Sequence, residues 1–198
     1  MLLLATLIFA TQDRSNCAAT DSAKACLDAG LYRSYESVSG GKVSFELGCE
    51  KGSEQACFFR DLDRYATGET SLVLSANAQA LSELQARCSV GRTQACYHLG
   101  LLHVDGPIDY RDSSQGNMLL RQACDGGAYD ACLLLAEPLT RSSDAGMKEQ
   151  ARGLYRKGCD GRHAKSCLAL LGQIDAGSDE AGKVRAQACK AGADSVCK

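Results

Sequence analysis

The chain has 198 residues, of which 45% are hydrophobic and 23% charged, and its 22 Lys and Arg against 24 Asp and Glu leave a formal net charge of −2. This balance excludes the broad basic surface of a nucleic-acid-binding protein, and the hydrophobic fraction excludes a disordered chain. No run of residues reaches the roughly eighteen apolar positions that a membrane span needs. Twelve residues are Cys, and their spacing is the most regular feature of the chain.

Residues 1–16 are predicted to precede the folded domain, as a signal-peptide-like segment or a disordered N-terminus. Met1–Ala10 resembles the hydrophobic region of a secretion signal, with cleavage after Ala10. The segment lacks a basic start and is shorter than the usual signal of about 15–30 residues. Either the true start lies upstream or the signal is degenerate. No lipid-attachment motif precedes Cys17, so we expect export rather than a lipid anchor.

The cysteines fall into six couples, the first spaced by nine residues and the other five by eight. The couples are Cys17 with Cys26, Cys49 with Cys57, Cys88 with Cys96, Cys124 with Cys132, Cys159 with Cys167, and Cys189 with Cys197. From the second couple on, their first members step by 39, 36, 35 and 30 residues. A short fixed spacing inside a period near 35 residues indicates an internal repeat.

Apolar residues at helical spacing flank the couples. Examples are Phe58, Leu62 and Tyr65 after one couple, and Leu81, Leu84 and Cys88 before the next. Glycine shortly after the first cysteine of a couple is typical of a helix that has just ended. Asp112 with Gln115, and Ser178 followed by two acids, predict helix starts. Pro138 is expected to cut one helix short.

Each repeat is therefore predicted to be a helix that begins near the second cysteine of a couple, a loop, and a helix that ends at the first cysteine of the next. No segment alternates with period two for long, so the predicted class is all-α. Stacked helix pairs of this length build an α-solenoid. We expect about five repeats in a single domain over residues 17–198.

The cysteines are predicted to form six disulfides. Two cysteines eight residues apart across a tight turn between helices can reach the Cα separation of about 4.4–6.8 Å that a disulfide requires. No C-x-x-C motif occurs and the chain has only three His, which argues against zinc, redox and haem sites. No metal and no cofactor are therefore assigned. Six disulfides imply an oxidising compartment, so the protein is expected to be secreted or periplasmic.

Two segments carry a resemblance to a known family. Ala95–Leu102 and Arg121–Ala128 resemble Sel-1-like repeats, and the cysteine couples resemble the disulfide-stapled branch typified by the Helicobacter cysteine-rich proteins. The likeness runs from about residue 17 to the end. It implies helix-turn-helix repeats like those of tetratricopeptide proteins, with a concave face, lined by the first helix of each repeat, that grips another protein.

The resemblance implies two kinds of function. The first is a secreted or periplasmic scaffold that binds a protein or peptide through its concave face, with a periplasmic immunity or assembly factor as a special case. The alternative is a weak penicillin-binding protein or β-lactamase, whose ligand is a β-lactam or a peptidoglycan-derived molecule. Neither reading involves a nucleic acid or a membrane span.

A serine β-lactamase needs three sequence elements, and the chain has formal matches to two. Ser39-x-x-Lys42 matches the first and Ser75-x-Asn77 the second, but no Lys-Ser/Thr-Gly is present. Ser39 precedes two glycines, in a loop that lacks the rigid positioning catalysis requires. We therefore assign no catalytic residue and favour a protein that is not an enzyme.

The histidines also fail to form a site. His98 and His103 are five residues apart, which places them about 140° apart around a helix and not on one face. His98 is expected to line the concave surface and His163 to be solvated. The predicted partner contacts, all at first-helix positions, are Phe59, Arg64, His98 and Gln173.

Overall fold

The computed structural model describes residue 17 and residues 22–33, 41–68, 78–106 and 110–197. Every regular element within these residues is helical, which confirms the predicted all-α class for them. The α-helices are α1 (Ala23–Arg33), α2 (Lys42–Glu50), α3 (Glu54–Ala66), α4 (Ala78–Ser89), α5 (Thr93–Asp105), α6 (Ser113–Asp125), α7 (Tyr129–Thr140), α8 (Ala145–Asp160), α9 (Ala164–Leu171) and α10 (Asp179–Lys190). A 3-10 helix, Asp194–Val196, follows them.

The chain divides into two compact units, Met1–Arg111 and Asp112–Lys198. In the first unit α1 packs on α2, α2 on α3 and α4 on α5, and α3 also contacts α1, α4 and α5. In the second unit each helix from α6 to α10 packs on the next, and α7 contacts α9 while α8 contacts α10. The single domain expected over residues 17–198 stays a prediction.

All twelve cysteines lie in the described part of the chain, in six pairs at disulfide distance. Their Cα atoms are 4.5 to 5.2 Å apart, and the pairs are the six couples predicted from spacing. Four pairs join the end of one α-helix to the start of the next. The first holds Cys17 to α1, and the last holds α10 to the 3-10 helix.

Local signals explain where several helices begin. The Asp112 carboxylate accepts a hydrogen bond of 3.0 Å from the Gln115 amide, and the Ser178 hydroxyl accepts one of 3.2 Å from the Ala181 amide. Both contacts satisfy an amide that has no partner within its own helix. The two predicted starts, α6 and α10, are thereby confirmed.

The expected effect of Pro138 is wrong. Pro138 lies inside α7, which continues to Thr140 and spans 12 residues. The proline falls in the last turn, so the helix loses one backbone hydrogen bond where it is about to end. The Arg141 amide then bonds to the Pro138 carbonyl oxygen and closes the helix.

Each unit has a buried apolar core between its helices. The core of the first unit includes Phe45, Phe58, Phe59, Leu62 and Leu102, and that of the second includes Ala136, Ala151, Tyr155, Leu170 and Val184. Among the described residues, none of the helices has the length and apolar character needed to cross a membrane.

Candidate functional site

A cleft of about 520 Å³ opens in the first unit between α1, α4 and the start of α3. Its lining residues are Ala23, Lys24, Leu27, Asp28 and Leu31 of α1, Ser53 and Gln55 at the start of α3, and Gln79, Glu83 and Arg87 of α4. Each of the three walls carries a disulfide cysteine, namely Cys26 in α1, Cys57 in α3 and Cys88 in α4.

The cleft combines a largely buried apolar part with charged edges. Leu27 and Leu31 are buried along α1. Lys24 pairs with Asp28 at 2.6 Å on the rim. Charges of both signs in one cleft favour recognition by apolar burial and hydrogen bonds over attraction of a single charge.

Arg87 connects two walls of this cleft. Its guanidinium pairs with Glu83 on the same helix and donates a hydrogen bond of 3.2 Å to the Leu31 carbonyl oxygen. That carbonyl lies in the last turn of α1, where helix carbonyls need an outside donor. Arg87 therefore fixes α4 against the end of α1.

The polar residues Ser53, Gln55 and Gln79 complete the lining. Ser53 already caps α3, because its hydroxyl accepts a hydrogen bond of 3.2 Å from the Ala56 amide. An amide side chain such as that of Gln55 or Gln79 can both donate to and accept from a peptide backbone. The cleft therefore offers hydrogen-bond donors and acceptors beside its buried leucines.

Two of the predicted contact residues belong to the core. Phe59 is 4% exposed, with its ring centroid 5.2 Å from that of Phe45, and His98 is 6% exposed. The expectation that His98 lines a surface is therefore wrong, and Phe59 is not presented to a partner either. Each lies on the side of its helix that neighbouring helices cover.

The other two predicted contacts are half-buried and lie far apart in the chain. Arg64 of α3 pairs with Glu46 of α2 at 3.2 Å. Gln173 follows the end of α9 at Leu171, in a turn of the second unit and not on the helix. Arg64 belongs to the first unit and Gln173 to the second, and their roles as contacts stay predictions.

Burial controls the protonation of His98. Desolvation lowers the pKa of His98 to about 4, because the charged imidazolium is disfavoured away from water. Its Nε2 has no hydrogen-bond partner among the described residues, and neither has the Oε1 atom of Gln94, one helical turn earlier. His98 is therefore a neutral core residue at physiological pH.

The second unit contains a serine, a histidine and an aspartate in contact. His163 Nδ1 lies 2.8 Å from Ser166 Oγ, and His163 Nε2 lies 3.3 Å from Asp130 Oδ1. The neutral tautomer that fits accepts from Ser166 and donates to Asp130. The hydrogen bond from His163 is the main cause that lowers the pKa of Asp130, and the positive charge of Lys165 adds to it, although burial opposes the change. The expectation that His163 is solvated is wrong.

This group has the residue types of a hydrolase but lacks access for a substrate. Ser166 is 0% exposed, and a Cβ at Gly158 would overlap its hydroxyl. A nucleophile must reach a substrate carbonyl, and no space is left for one here. The group instead ties the start of α7, through Asp130, to the start of α9.

The described residues hold no group of three or more His, Cys, Asp or Glu placed to bind a metal ion. Of the formal β-lactamase matches, Ser39 and the segment 75–77 lie outside the described residues, and Lys42 is the first residue of α2.

Comparison of the chain with models of known protein families gives no match, and comparison with the curated proteins gives none either. The resemblance to Sel-1-like repeats therefore stays an expectation drawn from the sequence.

Proposed function

We propose that this protein is an exported repeat scaffold that binds a protein or peptide partner through the cleft between α1, α3 and α4. The observation that carries the proposal is the cleft itself, of about 520 Å³, with buried leucines and polar edges. The six cysteine pairs are compatible with an oxidising compartment, which supports a secreted or periplasmic location.

We further propose that the helices form a solenoid of about five Sel-1-like repeats. In chain order, the repeats would comprise helices α1 and α2, α3 and α4, α5 and α6, α7 and α8, and α9 and α10. Two observations support this assignment. Four disulfides link the second helix of one pair to the first helix of the next, and first helices touch at α1 with α3, α3 with α5, and α7 with α9.

The proposed mechanism is passive. One disulfide joins α1 to Cys17, one joins α3 to α2 and one joins α4 to α5, so each wall of the cleft is cross-linked to a neighbouring segment before the partner arrives. A preorganised surface loses less conformational entropy on binding than a mobile one, so more of the contact energy appears as affinity. No bond is made or broken in the partner.

The proposal is tested with a display library of random peptides panned against the oxidised protein. Gln79→Trp fills the cleft from α4, and we expect it to weaken the selected peptides about tenfold or more. Gln85→Trp is the matched control, because Gln85 is an exposed residue of the same helix that does not line the cleft. Equal binding to wild type and Gln79→Trp would place the partner elsewhere.

The alternative function, a weak penicillin-binding protein or β-lactamase, rests on the family resemblance alone. Nitrocefin turnover by the oxidised protein that disappears in Ser39→Ala would favour it over the scaffold. Ser166→Ala serves as the second variant, since loss of turnover there would point to the buried Ser166 group.

A further inference from the structure

A second surface, independent of the cleft, lies in the second unit. A groove of about 340 Å³ is lined by Arg121 and Asp125 of α6, Leu139 of α7, and Gln150, Gly153 and Leu154 of α8. Both α6 and α8 pack on α7. Asp125 and Lys157 form an ion pair that links α6 to α8. The groove is therefore built mainly from the second helices of the proposed repeats, whereas the cleft uses two first helices.

Gly153 leaves the α8 side of this groove open. It lies in the middle of α8, is exposed, and a Cβ there would meet nothing within 4 Å. Glycine inside a helix destabilises it relative to alanine. Elsewhere in the same helix, Gly158 has a packing reason, since Ser166 lies against it. At Gly153 no neighbouring atom lies that close, so the backbone of α8 is accessible from the groove.

Two exposed methionines lie on the two helices that form most of the groove, next to its lining residues. Met118 is 63% exposed and precedes Arg121 by three residues on α6, and Met147 is 45% exposed and precedes Leu154 by seven on α8. These spacings place each methionine on the helix row that lines the groove. Methionine is flexible and polarisable, which suits a surface that adapts to a partner.

The charges of the groove decide the chemistry of the partner. Asp125 is neutralised by Lys157, whereas Arg121 is exposed and has no ion pair among the described residues. The lining thus carries one uncompensated positive charge beside apolar side chains. We propose that this groove binds a partner segment in which an apolar side chain adjoins a carboxylate.

The proposal is tested on the full oxidised protein with two synthetic peptides. The first has leucines four residues apart with glutamates between them, and its twin has lysines in place of the glutamates. We expect the acidic peptide to shift amide signals along α6 and α8 in nitrogen–proton NMR spectra. We also expect it to bind about tenfold more tightly than its twin.

Three variants locate the interaction. Arg121→Glu should reverse the preference between the peptides, and Gly153→Trp should weaken the acidic peptide about tenfold by filling the groove. Gly182→Trp is the matched control, because Gly182 is an exposed glycine of α10 that also has open space above it. Because Arg121 is a surface residue, we expect Arg121→Glu to fold. This variant therefore still tests the proposal if Gly153→Trp does not fold.

Several outcomes would overturn the proposal. Equal affinity for the two peptides, or no shift at about 1 mM peptide, contradicts the predicted chemistry. Signals that shift only around α1 and α4, and that Gln79→Trp abolishes, would overturn the groove while supporting the cleft. If no peptide binds at the cleft while the acidic peptide still shifts the signals along α6 and α8, the result would overturn the cleft and support the groove.

Discussion

At the scale of single residues, His98 makes the stability of the fold depend on pH. Its pKa is about 4 in the folded protein and 6.5 in an exposed histidine, so below pH 6.5 the unfolded chain takes up a proton that the folded chain does not. The free energy of unfolding therefore falls as the pH drops from 6.5 to 4, by about 3 kcal/mol in total. Above pH 6.5 this residue has no effect.

His98→Leu tests this dependence, because leucine keeps the site apolar and cannot titrate. In urea unfolding at pH 7.5, 5.5 and 4.5, the variant should gain stability relative to wild type as the pH falls. All other titrating groups are common to both proteins, so they cancel in the difference. Parallel stability curves for the two proteins would show that His98 takes up its proton in the folded state.

Arg162 is the second residue that is expected to lower the free energy of unfolding by a measurable amount. It adopts the left-handed conformation, with φ of 63°, where the matching position after four other helices is glycine with φ between 82° and 100°. A side chain in this conformation costs about 1–2 kcal/mol relative to a right-handed one. The glycine of this turn, Gly161, is one position earlier, where a Cβ would overlap the Tyr129 ring.

We therefore predict that Arg162→Gly raises the free energy of unfolding, by about 1 kcal/mol. Gly161→Ala should lower it, because the methyl group would displace the Tyr129 ring. Thermal and urea unfolding of the two variants measure both changes. An Arg162→Gly protein less stable than wild type would mean that contacts of the arginine side chain outweigh the backbone strain.

At the scale of the elements, the six disulfides differ in their exposure. Cys159 and Cys167 are buried where α8 meets α9, whereas Cys189 and Cys197, which hold the final 3-10 helix to α10, are both exposed. A small thiol must reach a sulfur atom to reduce the bond, so access controls the rate.

Mild reduction of the native protein should therefore open Cys189–Cys197 first and Cys159–Cys167 much later. Alkylation of released thiols at successive times, followed by mass spectrometry of tryptic peptides, gives the order directly. The unfolded oxidised protein is the control, since all six bonds should then react at similar rates. Early loss of Cys159–Cys167 from the native protein would contradict the burial shown here.

Sequence patterns predicted the elements better than the surfaces. The cysteine couples and the caps at Asp112 and Ser178 are local signals, because a helix end depends on hydrogen bonds within a few residues. The orientation of a helix face depends on which neighbours cover it, so Phe59 and His98 could not be recognised as core from their own helices. The cleft could not be predicted either.

The contact of His163 with Ser166 and Asp130 shows the same limit. His163 and Ser166 are three residues apart, a spacing that could have suggested a capping contact. Asp130 comes from another helix, 33 positions earlier, and is brought close only when α7 packs near α9. Nothing in the local pattern contains that information.

At the scale of the whole molecule, every covalent cross-link is local. Each disulfide closes a segment of eight or nine positions in sequence, at a boundary of a helix. A short loop of this kind contributes about 2–3 kcal/mol in the chain-entropy model, before any strain in the folded state. The cross-links therefore restrain the four turns α2–α3, α4–α5, α6–α7 and α8–α9, together with the segments next to α1 and α10.

The most direct test of this framework is a map of the disulfides in the purified native protein. The protein is alkylated with iodoacetamide under denaturing, non-reducing conditions, digested, and its linked peptides are identified by mass spectrometry. We predict six links, each within one cysteine couple, and no alkylated cysteine. More than trace alkylation, or a link between two different couples, would contradict a framework of six local disulfides.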